Sequence, residues 1–132
     1  MTVLCVDNDP LVCEYLETLL SRSSSVDTVR TATTARTAVS WFDDGGLDAV
    51  ACVVAEYHLH SGGLRFLRAV RARSATVPFV LFTTGVSDAV ERTVLATGVT
   101  AVVRKSPSHG GIDALTDRVE RAVSPPPSST DS

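Results

Sequence analysis

Lysine is almost absent from this chain. Of the 12 basic residues among 132, only Lys105 is a lysine, and the others are arginines. With 15 acidic residues the net charge is −3, so the chain lacks the basic excess that contacts with a nucleic acid backbone require. We therefore expect no nucleic acid partner. The lysine ends the valine-rich segment 100–105, which suggests a placed ammonium group rather than a scattered surface charge.

Long apolar segments are missing as well. No apolar run approaches the ~20 residues that a membrane-spanning helix needs, and no positively charged leader precedes the first apolar segment. We expect a cytoplasmic protein without membrane contact. Cysteine is sparse, and Cys5, Cys13 and Cys52 are odd in number and widely spaced. This pattern favours reduced core thiols over disulfides or a zinc-thiolate site.

What the sequence does contain is an alternation of two periodicities. Continuous apolar runs predict buried strands, and apolar residues at intervals of three and four predict helices, the first of them with Asp9 as its N-cap. The predicted strands are Thr2–Val6, Val26–Ala32, Ala49–Ala55, Pro78–Phe82 and Val99–Val103. The predicted helices are Pro10–Arg22, Thr33–Asp44, a helix that begins at Leu64, Ser87–Ala96 and Ile112–Val123.

This alternation predicts the fold class. Strands that are apolar throughout are buried on both faces, and strands separated by helices imply right-handed parallel crossovers. The predicted fold is α/β: one domain, residues 1–123, with a doubly wound five-stranded parallel sheet in the flavodoxin-like order 2-1-3-4-5 and helices on both faces. Residues 124–132 are rich in proline and serine, and we expect a disordered tail there.

Polar side chains follow four of the predicted strands at their carboxyl ends. In a doubly wound sheet these ends meet beside the switch point, where such folds bind ligands. The residues are Asp7, Asn8 and Asp9 after the first strand, Glu56 after the third, Thr83 after the fourth and Lys105 after the fifth. Carboxylates suit a hard cation such as Mg²⁺, while a hydroxyl and an ammonium group can hold phosphoryl oxygens. The pattern is that of a phosphoryl-transfer site.

These motifs resemble those of the receiver domains of two-component response regulators, over roughly residues 2–123. Val6–Pro10 resembles the family's acidic metal-binding motif, and Thr83 its hydroxyl position. Lys105 resembles its invariant lysine, and Leu64–Arg71 the helix after its phosphorylated loop. The resemblance implies a signalling domain rather than an enzyme. In this family a sensor histidine kinase phosphorylates an aspartate at the end of the third strand, with magnesium as cofactor.

The sequence departs from the family pattern at the phosphorylated position itself. Glu56 stands there, and residues 57–63 contain no aspartate. Asn8 replaces the second acid of the usual pair, although Asp9 follows it. We therefore expect a weakened magnesium site formed by Asp7, Asn8, Asp9 and Glu56, and a lost or inefficient phosphorylation step.

Glutamate is one methylene longer than aspartate, so the Glu56 carboxylate should project toward Thr83 and Lys105. It would act there as a partial phosphomimic or, more modestly, as a permanent ion partner of the lysine. The usual readout is altered too, because Val102 replaces an aromatic switch residue and Ser106 separates the lysine from the following proline.

Three functional interpretations follow. The first is a stand-alone pseudo-receiver that acts through contacts with a sensor histidine kinase or a downstream signalling protein. The second is a working magnesium-dependent phosphoacceptor. The third is a small metal-dependent hydrolase that uses Asp7, Asp9 and a histidine loop. Glu56, His58 and His60 stand at alternating positions and are possible ligands of a transition metal, but histidines in a loop after a strand are more often exposed to solvent, so this is a minor alternative. His109 has no expected chemical role.

The resemblance also points to a partner surface. In the family, the face made by the fourth helix, fifth strand and fifth helix commonly binds partners or a second copy of the domain. Its mixed charges suit a specific polar interface, including a homodimer. The residues are Asp88, Glu91, Arg92, Arg104, Asp117 and Arg118.

Overall fold

The computed structural model describes residues 1–60, 62–105 and 109–123. The strands are β1 (Thr2–Val6), β2 (Thr28–Ala32), β3 (Val50–Ala55), β4 (Phe79–Thr83) and β5 (Ala101–Arg104). The helices are α1 (Pro10–Leu20), α2 (Ala35–Asp43), α3 (Gly63–Arg73), α4 (Asp88–Thr97) and α5 (His109–Val123), with a short 3₁₀ helix, Gly46–Ala49, before β3. The predicted tail, Ser106 and the side chain of His109 lie outside the described residues.

The five strands form one parallel sheet in the order β2-β1-β3-β4-β5. The chain starts in β1, moves outward to β2 and then returns past β1 to β3, so the switch point lies between β1 and β3. The register aligns the carboxyl ends of neighbouring strands, since Val6 pairs with Ala55 and Thr83 pairs with Arg104. This topology confirms the predicted doubly wound α/β fold.

Helices cover both faces of the sheet, as predicted. Side chains alternate along a strand, so Leu4 of β1 contributes to one apolar core and Cys5 to the other. The first core contains buried residues of α2, α3 and α4, and the second contains buried residues of α1 and α5. Within the described residues, no helix has both the length and the apolar character needed to cross a membrane.

Several predicted boundaries were wrong for local reasons. Val26 is buried but lies in a turn, where its N–H donates to the carbonyl of Ser23, so β2 begins two residues later. Ala49 belongs to the 3₁₀ helix rather than to β3. The α5 helix begins at His109, before the predicted Ile112. The prediction placed the start too late because the two glycines before Ile112 have low intrinsic helix propensity, although they are helical in the fold. The predicted N-cap, Asp9, is confirmed by its bond to the N–H of Leu11.

The connection from β3 to α3 contains a close backbone approach. Gly62 caps α3 with a φ of 94°, in the left-handed region that favours glycine. The N–H of Gly63 donates to the carbonyl oxygen of Tyr57 at 2.8 Å. A Cβ at residue 63 would lie 2.3 Å from that oxygen and 2.5 Å from the Tyr57 Cα. Glycine at position 63 therefore permits the close approach to Tyr57, and any larger residue would require the loop after β3 to shift.

We expect Gly63→Ala to lower the free energy of unfolding by about 1–3 kcal/mol, because the added methyl group meets backbone atoms that no side-chain rotation can move. Urea unfolding measures the loss. Gly85→Ala is the matched control, since a Cβ there meets nothing within 4 Å. If both variants were as stable as the wild type, the close approach at Tyr57 would carry no energetic weight.

Candidate functional site

The carboxyl ends of four strands bring the predicted site residues together. Asp7 and Glu56 leave β1 and β3 side by side, and the N–H of Glu56 donates to the carbonyl of Val6 at 3.0 Å. Thr83 is the last residue of β4, and its carbonyl accepts the N–H of Lys105 at 2.7 Å. The backbone itself thus delivers two carboxylates, a hydroxyl and an ammonium group to one point.

The Lys105 ammonium group bridges the two carboxylates. Its Nζ donates to Asp7 Oδ2 and to Glu56 Oε1, each at 2.7 Å. Only 6% of the Asp7 side chain and 7% of the Glu56 side chain are exposed, against 20% for Lys105. The single lysine of the chain therefore neutralises charge in a largely desolvated site.

The second oxygen of Glu56 is also occupied. The hydroxyl of Thr83, which is fully buried, donates to Glu56 Oε2. The backbone N–H of His58 donates to the same oxygen at 2.8 Å. Sequence reasoning predicted the contacts with Thr83 and Lys105 but missed the His58 amide, because a backbone donor has no side-chain signature.

These contacts set the charge states of the pair. Burial is the largest single influence on Glu56 and raises its pKa, but the His58 amide, the Lys105 ammonium and the Thr83 hydroxyl together outweigh burial and hold the pKa below its ordinary value. Burial likewise opposes the charge of Lys105, but hydrogen bonds to Asp7 and Glu56 raise its pKa above the ordinary value. Both side chains are therefore ionised at neutral pH.

The remaining residues of the acidic motif are bound within the protein. Asp7 Oδ1 accepts the N–H of Asp9 at 2.9 Å, and Asp9 Oδ1 accepts the N–H of Leu11 at 2.9 Å. The side chain of Asn8 bonds to the backbone of His58 and His60. Protein contacts thus use both oxygens of Asp7 and one oxygen of Asp9.

These contacts decide which carboxylate oxygens remain available to a magnesium ion. Mg²⁺ requires near-octahedral oxygen ligands and is usually held by one or two carboxylates. Throughout 1–60, 62–105 and 109–123, no group of three or more His, Cys, Asp or Glu side chains is placed to hold a metal ion. In this conformation Lys105 lies between the two buried carboxylates, Asp7 and Glu56, and binds one oxygen of each.

The imidazole rings of His58 and His60 make no hydrogen bond to the cluster in the described part of the chain, and Cys13 reaches it only through the backbone carbonyl of Asp7, which accepts from its Sγ at 3.5 Å. His58 and His60 are exposed and contribute backbone groups only. The cysteines are buried free thiols, as predicted. Burial raises the pKa of Cys52 to about 12 and raises the pKa of Cys5 as well, so both thiols are unreactive at neutral pH.

Removal of the ammonium group tests the cluster. Lys105→Met should lower the free energy of unfolding by about 3 kcal/mol, because it leaves two desolvated carboxylates without their cation. Arg104→Met is the control, since Arg104 pairs with Glu91 at an exposed site and should cost less than about 1 kcal/mol. Denaturant unfolding of both variants gives the comparison, and equal losses would show that the buried cluster contributes no more than a surface pair.

The depressed pKa of Glu56 predicts a pH dependence. A carboxyl group with a lower pKa in the folded state stabilises the fold above its unfolded value, about 4.3, and this contribution is lost as the pH falls through the folded pKa. Stability should therefore fall as the pH drops below about 5 into the acid range, and Glu56→Gln should remove part of that slope. Asp43→Asn is the control: its exposed pair with Arg73 also lowers the pKa of Asp43, so this variant should remove only the part of the slope that belongs to a surface pair and leave the Glu56 part in place. Urea midpoints across this range would contradict the assignment if Glu56→Gln kept the full slope.

Comparisons with known proteins agree with this fold. No curated protein sequence matches the chain significantly. Among solved structures, the non-phosphorylated HemR receiver domain of Leptospira biflexa has a TM-score of 0.80 and 21% identity, with 96% of each chain covered. The receiver domain of Francisella response regulator 1452 has a TM-score of 0.77 and 20% identity, covering 92% of this chain and 95% of that one.

The chemotaxis protein CheY4 of Vibrio cholerae has a TM-score of 0.75 and 21% identity, covering 89% of this chain and 97% of that one. Identities this low show a shared fold alone. The sequence model of the response regulator receiver domain matches residues 3–119, which is most of the chain. The chain therefore belongs to the response regulator receiver domain family, the signalling domains of two-component systems, which typically bind Mg²⁺ for phosphorylation.

Proposed function

We propose that this receiver domain is a pseudo-receiver, in which Glu56 permanently occupies the phosphoryl-facing groups and signalling proceeds through protein contacts. The observation that supports this is the full engagement of the Glu56 carboxylate. One oxygen binds Lys105 and the other binds Thr83 and the His58 amide, in a largely buried site. An aspartate, one methylene shorter, would not reach as far across the site.

Glu56 would mimic a phosphorylated side chain only in part, because it carries less charge and fewer oxygens. A phosphorylated side chain carries about −1.5 to −2 charges and three acceptor oxygens, whereas Glu56 carries one charge and two oxygens. The Thr83 hydroxyl and the Lys105 ammonium are nevertheless both satisfied by this one carboxylate. The domain would therefore hold one signalling state without cycling between two.

A weakened magnesium site belongs to the same proposal. The Lys105 ammonium already binds both Asp7 and Glu56, so a divalent cation that approaches either carboxylate would meet its positive charge or have to displace it. Displacement would leave the ammonium group without its two partners in a site that is mostly shielded from water. That cost opposes cation entry, although magnesium typically supports phosphorylation in this family.

The partner would be a sensor histidine kinase, a downstream signalling protein or a second copy of the domain. The face of α4, β5 and α5 is the proposed interface. Leu95 is 47% exposed there, and Asp88, Glu91 and Arg92 line a shallow concavity beside it. On the same face Arg104 pairs with Glu91 at 3.3 Å. An apolar centre with a charged rim is typical of specific protein interfaces.

A working phosphoacceptor is the second candidate, and the retention of Asp7, Thr83 and Lys105 in one cluster favours it. Phosphorylation would then fall on Glu56 or on another residue. The hydrolase alternative gains no support, because no cluster that could hold a metal ion is present among the described residues.

Intact mass spectrometry after incubation with acetyl phosphate and Mg²⁺ separates the two candidates. The wild type and Glu56→Gln should gain no phosphoryl mass, because neither has an aspartate at residue 56. Glu56→Asp should gain one phosphoryl group, because the shorter carboxylate leaves Thr83 and Lys105 free to hold the incoming oxygens.

The control is the same incubation with a chelator in place of magnesium, in which Glu56→Asp should stay unlabelled. Labelling of the wild-type chain would overturn the pseudo-receiver proposal. Peptide mapping of the modified residue would then decide which phosphoacceptor is in use.

A further inference from the structure

The side chain of Asn8 both donates a hydrogen bond to the loop after β3 and accepts one from it. Its Nδ2 donates to the carbonyl oxygen of His58 at 2.8 Å, and its Oδ1 accepts the N–H of His60 at 3.2 Å. The two residues it contacts lie about 50 positions away in sequence, so this is a tertiary link between the β1 and β3 connections.

The chemistry of this link requires an amide. A carboxamide carries a donor and an acceptor on one planar head, which matches a carbonyl and an N–H two residues apart. An aspartate at this position could still accept from His60, but it would turn a carboxylate oxygen toward the carbonyl of His58. The residue type at position 8 therefore fits the loop.

The His58 backbone, which Asn8 binds, also binds Glu56. The N–H of His58 donates to Glu56 Oε2, while the carbonyl of His58 accepts from Asn8. The rest of the loop is anchored by Leu59, which is buried in the core and whose carbonyl accepts the N–H of Gly62 at 2.8 Å. The position of the loop and the position of the Glu56 carboxylate are thus mechanically coupled.

We propose that Asn8 is a positioning residue that clamps residues 58–60, so that the His58 amide stays on Glu56 and the loop keeps one conformation without a bound cation or phosphoryl group. This inference deepens the proposed function and rests on it in one respect: the clamp serves a Glu56 carboxylate that is never modified. It assigns a structural use to the position at which Asn8 replaces an acid.

Amide hydrogen exchange and carbonyl resonances, measured by NMR on the full chain, test the clamp with two variants. In Asn8→Ala both bonds are lost, so the His60 amide should exchange on the order of fivefold faster, and the His58 carbonyl carbon resonance should shift. In Asn8→Asp the acceptor remains, so His60 should keep its protection while the His58 carbonyl resonance still shifts. A general loss of stability could not produce this split.

Ser74→Ala is the control, because the Ser74 hydroxyl accepts the N–H of Val77 in the connection from α3 to β4, at the amino end of β4 and away from the carboxyl ends where the loop lies. It should leave the signals of His58 and His60 unchanged. The clamp is overturned if Asn8→Ala keeps wild-type exchange at His60, or if exchange accelerates equally across the whole sheet. Phosphorylation of the wild-type chain would overturn the proposed function without altering this exchange pattern, so the two failures are distinguishable.

Discussion

The bridge from the Lys105 ammonium to two buried carboxylates is the interaction on which the rest of the site depends. It joins the ends of β1, β3 and β5 across sequence separations of 98 and 49 residues. A buried ion pair adds little net stability when compared with apolar residues of the same size, but a missing partner is costly because the remaining charge stays desolvated. The bridge therefore works mainly as a constraint, since arrangements that separate Lys105 from its partners are disfavoured.

The constraint extends outward from the lysine. Because Lys105 holds Glu56 Oε1, the opposite oxygen is left to accept from the Thr83 hydroxyl and the His58 amide. The His58 peptide then fixes the loop, and Asn8 and Gly63 hold that loop from either side. A switch needs two arrangements of similar free energy. Here the contacts that fix Glu56 also fix its neighbours, so a second arrangement would have to break several of them together.

Much of this site could be predicted from the sequence, because strand ends in a parallel sheet converge whatever the side chains are. The positions of Asp7, Glu56, Thr83 and Lys105 follow from the periodicity and the fold class alone. The equal sharing of Lys105 between two carboxylates could not be predicted, since it depends on the register that levels Val6 with Ala55. The hydrogen bond from the His58 amide to Glu56 could not be predicted either, because it depends on the backbone geometry of the loop, which composition does not encode.

The neutral side chain of Asn8 has an electrostatic explanation in the charge of the neighbouring cluster. The buried cluster contains two carboxylates and one ammonium group, so it carries a single negative charge without any added cation. The next acid, Asp9, lies at the N-terminus of α1, where the helix dipole favours its charge. A carboxylate at position 8 would add a charge that nothing in the cluster neutralises. A neutral amide there avoids that repulsion, and its N–H group supplies the bond to the loop that a carboxylate lacks. With both buried carboxylates bound to the same ammonium group, asparagine at position 8 adds no further negative charge beside them.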